Sequence, residues 1–509
     1  MNSINSWKNI EIDYSDKNLF GNDAAEEERE EIFFSYALEP EILDGFLDND
    51  NSIQVVRAFK GEGKSALLRI TKNKLQKLTQ DLIINTTAVS ISPILESVES
   101  DIWTRTWKKS ILNLIANEIG SKIGFAYTDD AMSLVEEAEN NGFKEKSFLS
   151  SIIIRIKNQP LEIHKNGTIN SEKTIERWLH DKTNTWLIID DIDQNFTNTE
   201  KNKIKVASFF TACRQISNTI PEIRFRLSIR PNVWKIIKRE YEALSHIEQY
   251  IHDLNWSDEK LQELIAKRVE GYLKRKEIWE DSEKQLSKKM DRKKEQLLQL
   301  IFEDPMPWGI NRERPAKIVL STLSRHRPRW LIELSKESSK VAKKKDHNKI
   351  YFEDIDQIIE EFGRKRIDDT IAEFKSQCSN IEEILSAFAN QDERYSTANL
   401  LKTIKNRIIE GTNLKIEGVL GSPTAKDVAH FLYQIGFITG RKDHPDGTYD
   451  HISFDKEPTL LKSRTNIDQG VQWEIHPVFR QPLNLKNVAT TQQQQYNEKR
   501  KNLTNQRSQ

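Results

Sequence analysis

The sequence is poor in several residue types on which secreted and membrane proteins depend. Only two of its 509 residues are cysteines, Cys213 and Cys378, too few for a disulfide framework or a cysteine-based zinc site. No stretch approaches about 18 consecutive apolar residues, so we expect no transmembrane helix. The first twenty residues lack the basic start and apolar run of a signal peptide. These absences together predict a cytoplasmic protein.

Glycine and proline are also rare, and the net charge is close to zero. The chain has 18 glycines and 14 prolines, which favours helix over sheet. Charged residues make up 30% of the chain, yet the formal net charge is −1. A nucleic-acid surface, if there is one, must therefore be a local patch. A chain of this length exceeds one ordinary core, so we expect several domains.

Between about residues 30 and 256, short apolar segments alternate with longer helical ones. Strands of this kind, separated by helices, imply right-handed crossovers and a mostly parallel sheet covered on both faces. The helices between them include those predicted over residues 146–156 and 171–179. The predicted strands are 53–56, 82–86, 186–190, 223–229 and one near 248–251.

The remainder predicts two further domains, so that the fold class is α/β with an all-α lid and a small α+β domain. Residues 257–390 read as helices throughout. Beyond them, two helices precede a hairpin signal around Asp446-Gly447, the pattern of a winged helix, which can bind DNA or dock a protein. The predicted division is 1–29 polar segment, 30–256 α/β domain, 257–390 helical lid, 391–485 winged-helix-like domain and 486–509 disordered tail.

The stretch RAFKGEGKSALL lies between the first predicted strand and a helix. A triphosphate needs several backbone amides converging on its oxygens, which a tight glycine-bearing loop at a helix N-terminus can present. Lys64 would reach the β and γ phosphates, and the Ser65 hydroxyl would bind Mg²⁺. Ala58 stands where the pattern G-x-x-x-x-G-K-[ST] has its first glycine, and a basic surface turn is the alternative. The predicted nucleotide-binding residues are Lys60, Gly61, Glu62, Gly63, Lys64, Ser65 and Ala66.

The stretch WLIIDD forms a buried strand that ends in two carboxylates. A carboxylate at the end of a central parallel strand lies in the crevice where ligands bind. Asp190 would hold the Mg²⁺ ion, and Asp191 would polarise the attacking water. An acidic strand exit without catalytic function is the alternative.

The pair GEGKS and WLIIDD resembles the P-loop ATPases of the additional-strand group, near the AAA+, KAP and STAND branches. The resemblance covers roughly residues 50–335 and implies ATP and Mg²⁺ as ligands. It also implies that Arg230, after the next strand, senses the γ-phosphate, and that Arg329 rather than Arg327 is a second sensor in the lid. For either arginine an ordinary structural role stays open.

The same resemblance implies an ATP-hydrolysing molecular switch in signalling or anti-phage defence that forms homo-oligomers and acts with an effector protein or nucleic acid. Two alternatives remain. One is a nucleotide-regulated DNA-binding protein that acts through the winged helix, and the other is an ATP-bound assembly scaffold that does not hydrolyse. No base-reading motif separates ATP from GTP.

Overall fold

The computed structural model describes residues 7, 10–79, 81–123, 184–309, 312–444, 449–461 and 470–486. The chain forms two compact units, one of residues 24–255 and one of residues 1–23 with 256–509. Several predicted features lie outside the described residues: the helices over 146–156 and 171–179, the turn at Asp446-Gly447, and the tail beyond residue 486.

A five-stranded sheet forms the centre of the first unit, in the order β2-β3-β4-β1-β5. Every neighbouring pair of strands is parallel. The carboxyl ends of all five strands therefore meet at one edge, where open α/β sheets bind their ligands. The strands are β1 Ile53–Arg57, β2 Leu82–Thr87, β3 Thr185–Asp190, β4 Ile223–Ile229 and β5 Ile251–Asp253.

Helices cover both faces of this sheet, and strand β3 shows why its apolar run is continuous. Leu187 and Ile189 belong to the core on one face, while Trp186 and Ile188 belong to the core on the other. Successive strand residues point to opposite faces, so a strand covered twice needs apolar residues at every position. The helices are α1 Glu30–Tyr36, α2 Leu43–Leu47, α3 Lys64–Leu78, α4 Ser100–Ile123, α5 Glu200–Thr219 and α6 Pro231–Glu240.

The second unit is mainly helical and carries a smaller antiparallel sheet in the order β10-β9-β11-β8. Its helices are α7 Asp258–Arg275, α8 Trp279–Gln285, α9 Met290–Ile301, α10 Ala316–Leu323, α11 Pro328–Lys344, α12 Phe352–Phe374, α13 Ile381–Ser386, α14 Thr397–Ile404 and α15 Ala425–Gln434. Its strands are β6 Met306–Pro307, β7 Glu313–Arg314, β8 Arg394–Tyr395, β9 Ile438–Asp443, β10 Tyr449–Ile452 and β11 Val471–Ile475.

The predicted α/β class with a parallel sheet is confirmed, with two local corrections. Residues 248–250 form a 3₁₀ turn, so the fifth strand covers 251–253 instead. The expectation of helices throughout 257–390 is wrong at 306–314, where β6 and β7 pair. Pro307 lies in this segment and Pro305 and Pro315 flank it, and proline has no amide hydrogen with which to continue a helix. Within the described residues, no helix combines the length and apolar character needed to cross a bilayer.

Candidate functional site

The loop between β1 and α3 has the backbone path that the sequence predicts. Gly61 and Gly63 have φ angles of 85° and 101°, a region that side chains with a Cβ rarely enter. Ala58 has a negative φ and is 1% exposed. Its amide donates to the Ile229 carbonyl oxygen at 3.2 Å, which extends the β1–β4 pairing by one residue. Alanine is therefore compatible with this position, although the pattern calls for glycine.

Lys64 is the first residue of α3 and is 8% exposed. Its Nζ donates to the carbonyl oxygens of Ala58 at 2.8 Å and Phe59 at 3.3 Å, so the ammonium lies across the mouth of the loop. The Glu62 carboxylate accepts from the Phe59 amide at 2.5 Å and braces the loop from within. A loop of this shape at a helix N-terminus directs its amides and partial positive charge toward an anion.

The carboxylate pair lies at the same edge of the sheet, at the end of β3. Asp190 Oδ1 accepts a hydrogen bond from the Ser228 hydroxyl of the neighbouring strand β4. The Asp191 amide donates to the same oxygen at 2.9 Å and is 3.3 Å from the Ser228 hydroxyl. Asp191 itself has a left-handed φ of 58°, a conformation that aspartate tolerates better than most residues. The Ser228 hydroxyl thus contacts both the Asp190 carboxylate and the Asp191 backbone.

Asp191 has a strongly perturbed acidity. Burial is the main cause, and together with the nearby Asp190 charge it raises the pKa of Asp191 to about 6. Lys64 is close enough for its positive charge to lower the pKa of Asp191. The loop and the carboxylate pair therefore share one electrostatic environment. A carboxylate whose pKa lies near the working pH is suited to take up a proton and release it again.

Arg230 is held by a second carboxylate at the same edge. It directly precedes α6, and both its backbone amide and its Nε donate to Asp193 Oδ2 at 2.8 Å. Its guanidinium also donates to the Asp193 backbone carbonyl. The Asp193 side chain is almost fully buried. This ion pair joins the loop after β3 to the start of α6.

The two lid arginines lie in the other compact unit. Arg327 is buried and forms a bidentate ion pair with Glu373, at 2.7 and 3.0 Å. Arg329 is partly exposed, and its Nε is 3.5 Å from the Asp23 carbonyl oxygen. Both arginines thus have partners in this unit, and the role of Arg329 as the lid sensor stays a prediction.

The sequence analysis missed Ser228 and Asp193. Ser228 is one of the few polar residues in the apolar strand IRFRLSI, and Asp193 lies three residues after the first carboxylate. Both were visible in the sequence only as polar residues near the carboxyl end of a predicted strand, where ligands bind. Which of them would touch Asp190 or Arg230 depends on strand order, which the sequence does not state.

One strand, β4, separates the strand of the glycine loop from the strand of the carboxylate pair. A glycine loop follows β1, a lysine stands at the start of the next helix and paired carboxylates follow β3, which is the arrangement that the sequence predicts for a P-loop NTPase with an additional strand.

No protein-family profile matches the chain, and no curated protein matches it either. Among solved structures it is similar to Cdc6p from Pyrobaculum aerophilum, with 12% identity and a TM-score of 0.33 over 93% of this chain and 96% of that one. It is also similar to the ORC2 protein from Aeropyrum pernix in its ADPNP–ADP complexes, with 10% identity and a TM-score of 0.38 over 92% and 96% of the two chains. A third similar structure is Drosophila ORC bound to DNA, with 10% identity and a TM-score of 0.30 over 87% and 84%.

Proposed function

We propose that the chain is a Mg²⁺-dependent ATPase of the additional-strand P-loop group, resembling the AAA+, STAND and KAP branches, and that it works as a molecular switch. One observation carries the proposal: the glycine loop and the Asp190–Asp191 pair lie at one edge of the sheet, with Lys64 near enough to influence the acidity of Asp191. A loop alone would serve binding only, whereas the paired carboxylates add the groups that hydrolysis requires.

The amides of residues 60–66 would bind the phosphates, with the Lys64 ammonium leaving the carbonyls of the loop for the β and γ oxygens. Each of its present contacts is to a neutral carbonyl, whereas a phosphate oxygen carries negative charge and attracts the ammonium more strongly. The exchange is therefore favourable. The loop itself keeps its shape through the two left-handed glycines.

The residues fit a magnesium ion. Asp190 Oδ1 is engaged by Ser228 and by the Asp191 amide, whereas Oδ2 has no hydrogen-bond partner among the residues that the structure describes. Oxygen donors such as this one and the Ser65 hydroxyl are the ligands that Mg²⁺ prefers. Bound there, the ion would neutralise charge on the phosphate oxygens. Ser65 and Asp190 would hold it.

Asp191 would accept the proton of the attacking water. Arg230 and Arg329 would respond to the γ-phosphate, and for Arg230 this means exchanging its ion pair with Asp193 for a phosphate oxygen. That exchange would free the loop after β3 from α6, because the ion pair joins them. Nucleotide-dependent movement of this kind is how such switches act on partners.

The resemblance also supports a cytoplasmic role in signalling or anti-phage defence, with homo-oligomers and an effector protein as partner. The four-stranded sheet, with α14 and α15 beside it, favours a winged helix over 391–485. A second candidate function, DNA binding regulated by nucleotide, rests on this domain. Binding to DNA that weakens steeply with salt and survives loss of Lys64 would favour that candidate.

Phosphate release from ATP, with Mg²⁺ and with EDTA, tests the proposal. We expect Mg²⁺-dependent turnover that falls by roughly 10²- to 10⁴-fold in Asp191→Asn, as for loss of a general base, while ATP binding is retained. The same assay with GTP identifies the base preference. Turnover of purified protein that does not depend on Mg²⁺ or on Asp191 would refute hydrolysis at this site. ATP binding without any turnover would leave the scaffold as the better description.

A further inference from the structure

The second unit contains a cavity of about 580 Å³ that plays no part in the proposed ATPase site. Helix α12, the segment after β6 and the antiparallel sheet form its walls. Its volume lies within the roughly 300–1,000 Å³ that is usual for small-molecule pockets. Six of the residues that line it carry the argument: Trp308, Phe352, Arg394, Arg441, Tyr449 and Glu474.

One buried carboxylate pairs with several basic side chains of this cavity. Glu474 is 2% exposed, and its Oε1 accepts from Arg394 Nε and Arg441 Nη1, both at 2.8 Å. Its Oε2 lies 2.9 Å from His451 Nε2 and 3.5 Å from Arg480 Nη2. Burial acts to raise the pKa of Glu474, but the His451 hydrogen bond and the three arginines outweigh it and bring the pKa to about 2. The carboxylate is therefore charged at any physiological pH.

The cavity nevertheless retains a cationic excess. Four arginines line it, against three carboxylates: Asp356, Glu393 and Glu474. Two guanidinium nitrogens, Nη1 of Arg394 and Nη2 of Arg441, have no hydrogen-bond partner among the described residues. Guanidinium groups held in place by a buried acid, with donors still available, match a pair of oxygens on a phosphate or carboxylate group.

The wall beside these donors is aromatic. Trp308 is partly exposed and meets Phe352 edge to face, with ring centroids 6.2 Å apart. The Tyr449 ring contacts the Arg441 guanidinium at 3.7 Å. Indole rings and guanidinium planes both stack on planar aromatic ligands, as they do on the bases of nucleic acids.

We propose that this cavity binds a small anion of mononucleotide size that carries a planar aromatic ring. The ring would lie against Trp308 and the acidic group would bind Arg394 and Arg441. The combination of an aromatic wall with guanidinium donors selects for both parts of such a ligand. The site would give the second unit a small-molecule input of its own, separate from the glycine loop.

Calorimetric titration of the full chain with AMP as the probe tests this assignment, on a Lys64→Ala background that weakens the glycine loop. We expect one AMP per chain, and affinities for adenosine and for inorganic phosphate at least tenfold lower, because each probe has only half of the recognised chemistry. Arg394→Gln and Trp308→Ala should each reduce AMP affinity at least tenfold. Lys442→Gln, an exposed strand residue beside Arg441, should leave it unchanged.

Thermal unfolding of every variant shows whether it is folded. If Arg394→Gln does not fold, Trp308→Ala provides the test. Absence of AMP binding to the Lys64→Ala chain would overturn the proposal, as would binding that both cavity variants leave intact. So would an octanucleotide that binds while AMP does not, since the cavity would then serve a nucleic acid. In the first two of these cases the arginines serve only to pair Glu474.

Discussion

Replacing Asp191 with asparagine should stabilise the protein at neutral pH, even though it removes the proposed catalytic base. In the folded chain the pKa of Asp191 is raised from 3.8 to about 6, mainly by burial, so its charged form is disfavoured. A rise of that size corresponds to about 3 kcal/mol, which solvent screening at this partly exposed carboxylate reduces to about 1 kcal/mol. Asparagine carries no charge and tolerates the left-handed φ of this position as well as aspartate does.

The stability difference between Asp191→Asn and wild type should depend on pH. Because the folded-state pKa lies above the unfolded value, the carboxyl's contribution to stability is complete below about pH 4 and is lost as pH rises through 6. The gain of Asp191→Asn over wild type should therefore be complete at pH 8, about half as large near pH 5, and absent near pH 3.5. In EDTA, an increase of about 2–4 °C in the unfolding temperature is expected at pH 8 for a unit of this size.

Thermal and urea unfolding at these pH values, followed by tryptophan fluorescence, measure the effect. Asp50→Asn is a matched control, since that carboxylate is exposed, and its substitution should give no pH-dependent gain. A destabilised Asp191→Asn variant at pH 8, or a gain that does not change with pH, would refute the electrostatic account of this residue.

Three further substitutions test separate contacts. Ser228→Ala removes the hydroxyl donor to Asp190, and we expect roughly 10- to 100-fold slower phosphate release with ATP affinity little changed; unchanged turnover would contradict the role of this serine. Arg226→Met removes a fully buried guanidinium that donates to four backbone carbonyls. Urea unfolding should show that the free energy of unfolding falls by about 2–4 kcal/mol. A fall below about 0.5 kcal/mol would show that these bonds contribute little. Gly436→Ala places a Cβ 2.3 Å from Arg325 Nη2 at a φ of +68°, and the expected loss of about 1–2 kcal/mol is checked in the same way; an equally stable variant would mean that the arginine moves freely.

Much of the first unit was predictable because local chemistry determines it. The strand WLIIDD is continuously apolar because both faces of β3 are covered. The glycine loop was recognisable because Gly61 and Gly63 occupy backbone conformations that few other residues accept. In each case the residue type follows from a requirement at that position alone.

Features that depend on neighbouring strands and distant partners were not predictable. The Ser228 contact with Asp190 requires β4 to lie beside β3, and the ion pair of Arg230 with Asp193 requires the same arrangement. The cluster around Glu474 joins side chains from five strand and loop segments between 394 and 480. No periodicity within one segment marks such a set, because its members share only a place in the fold.

Equilibrium binding of Mg²⁺–ATP to wild type and Lys64→Ala tests the central claim most directly, with Lys77→Ala on the exposed side of the same helix as control. We predict saturable binding by wild type and the control, and a loss of roughly a hundredfold or more in Lys64→Ala, the effect of removing a charge-assisted phosphate contact of about 3 kcal/mol. Equal affinity in all three proteins, or no binding by wild type, would contradict the assignment of this loop as a nucleotide site.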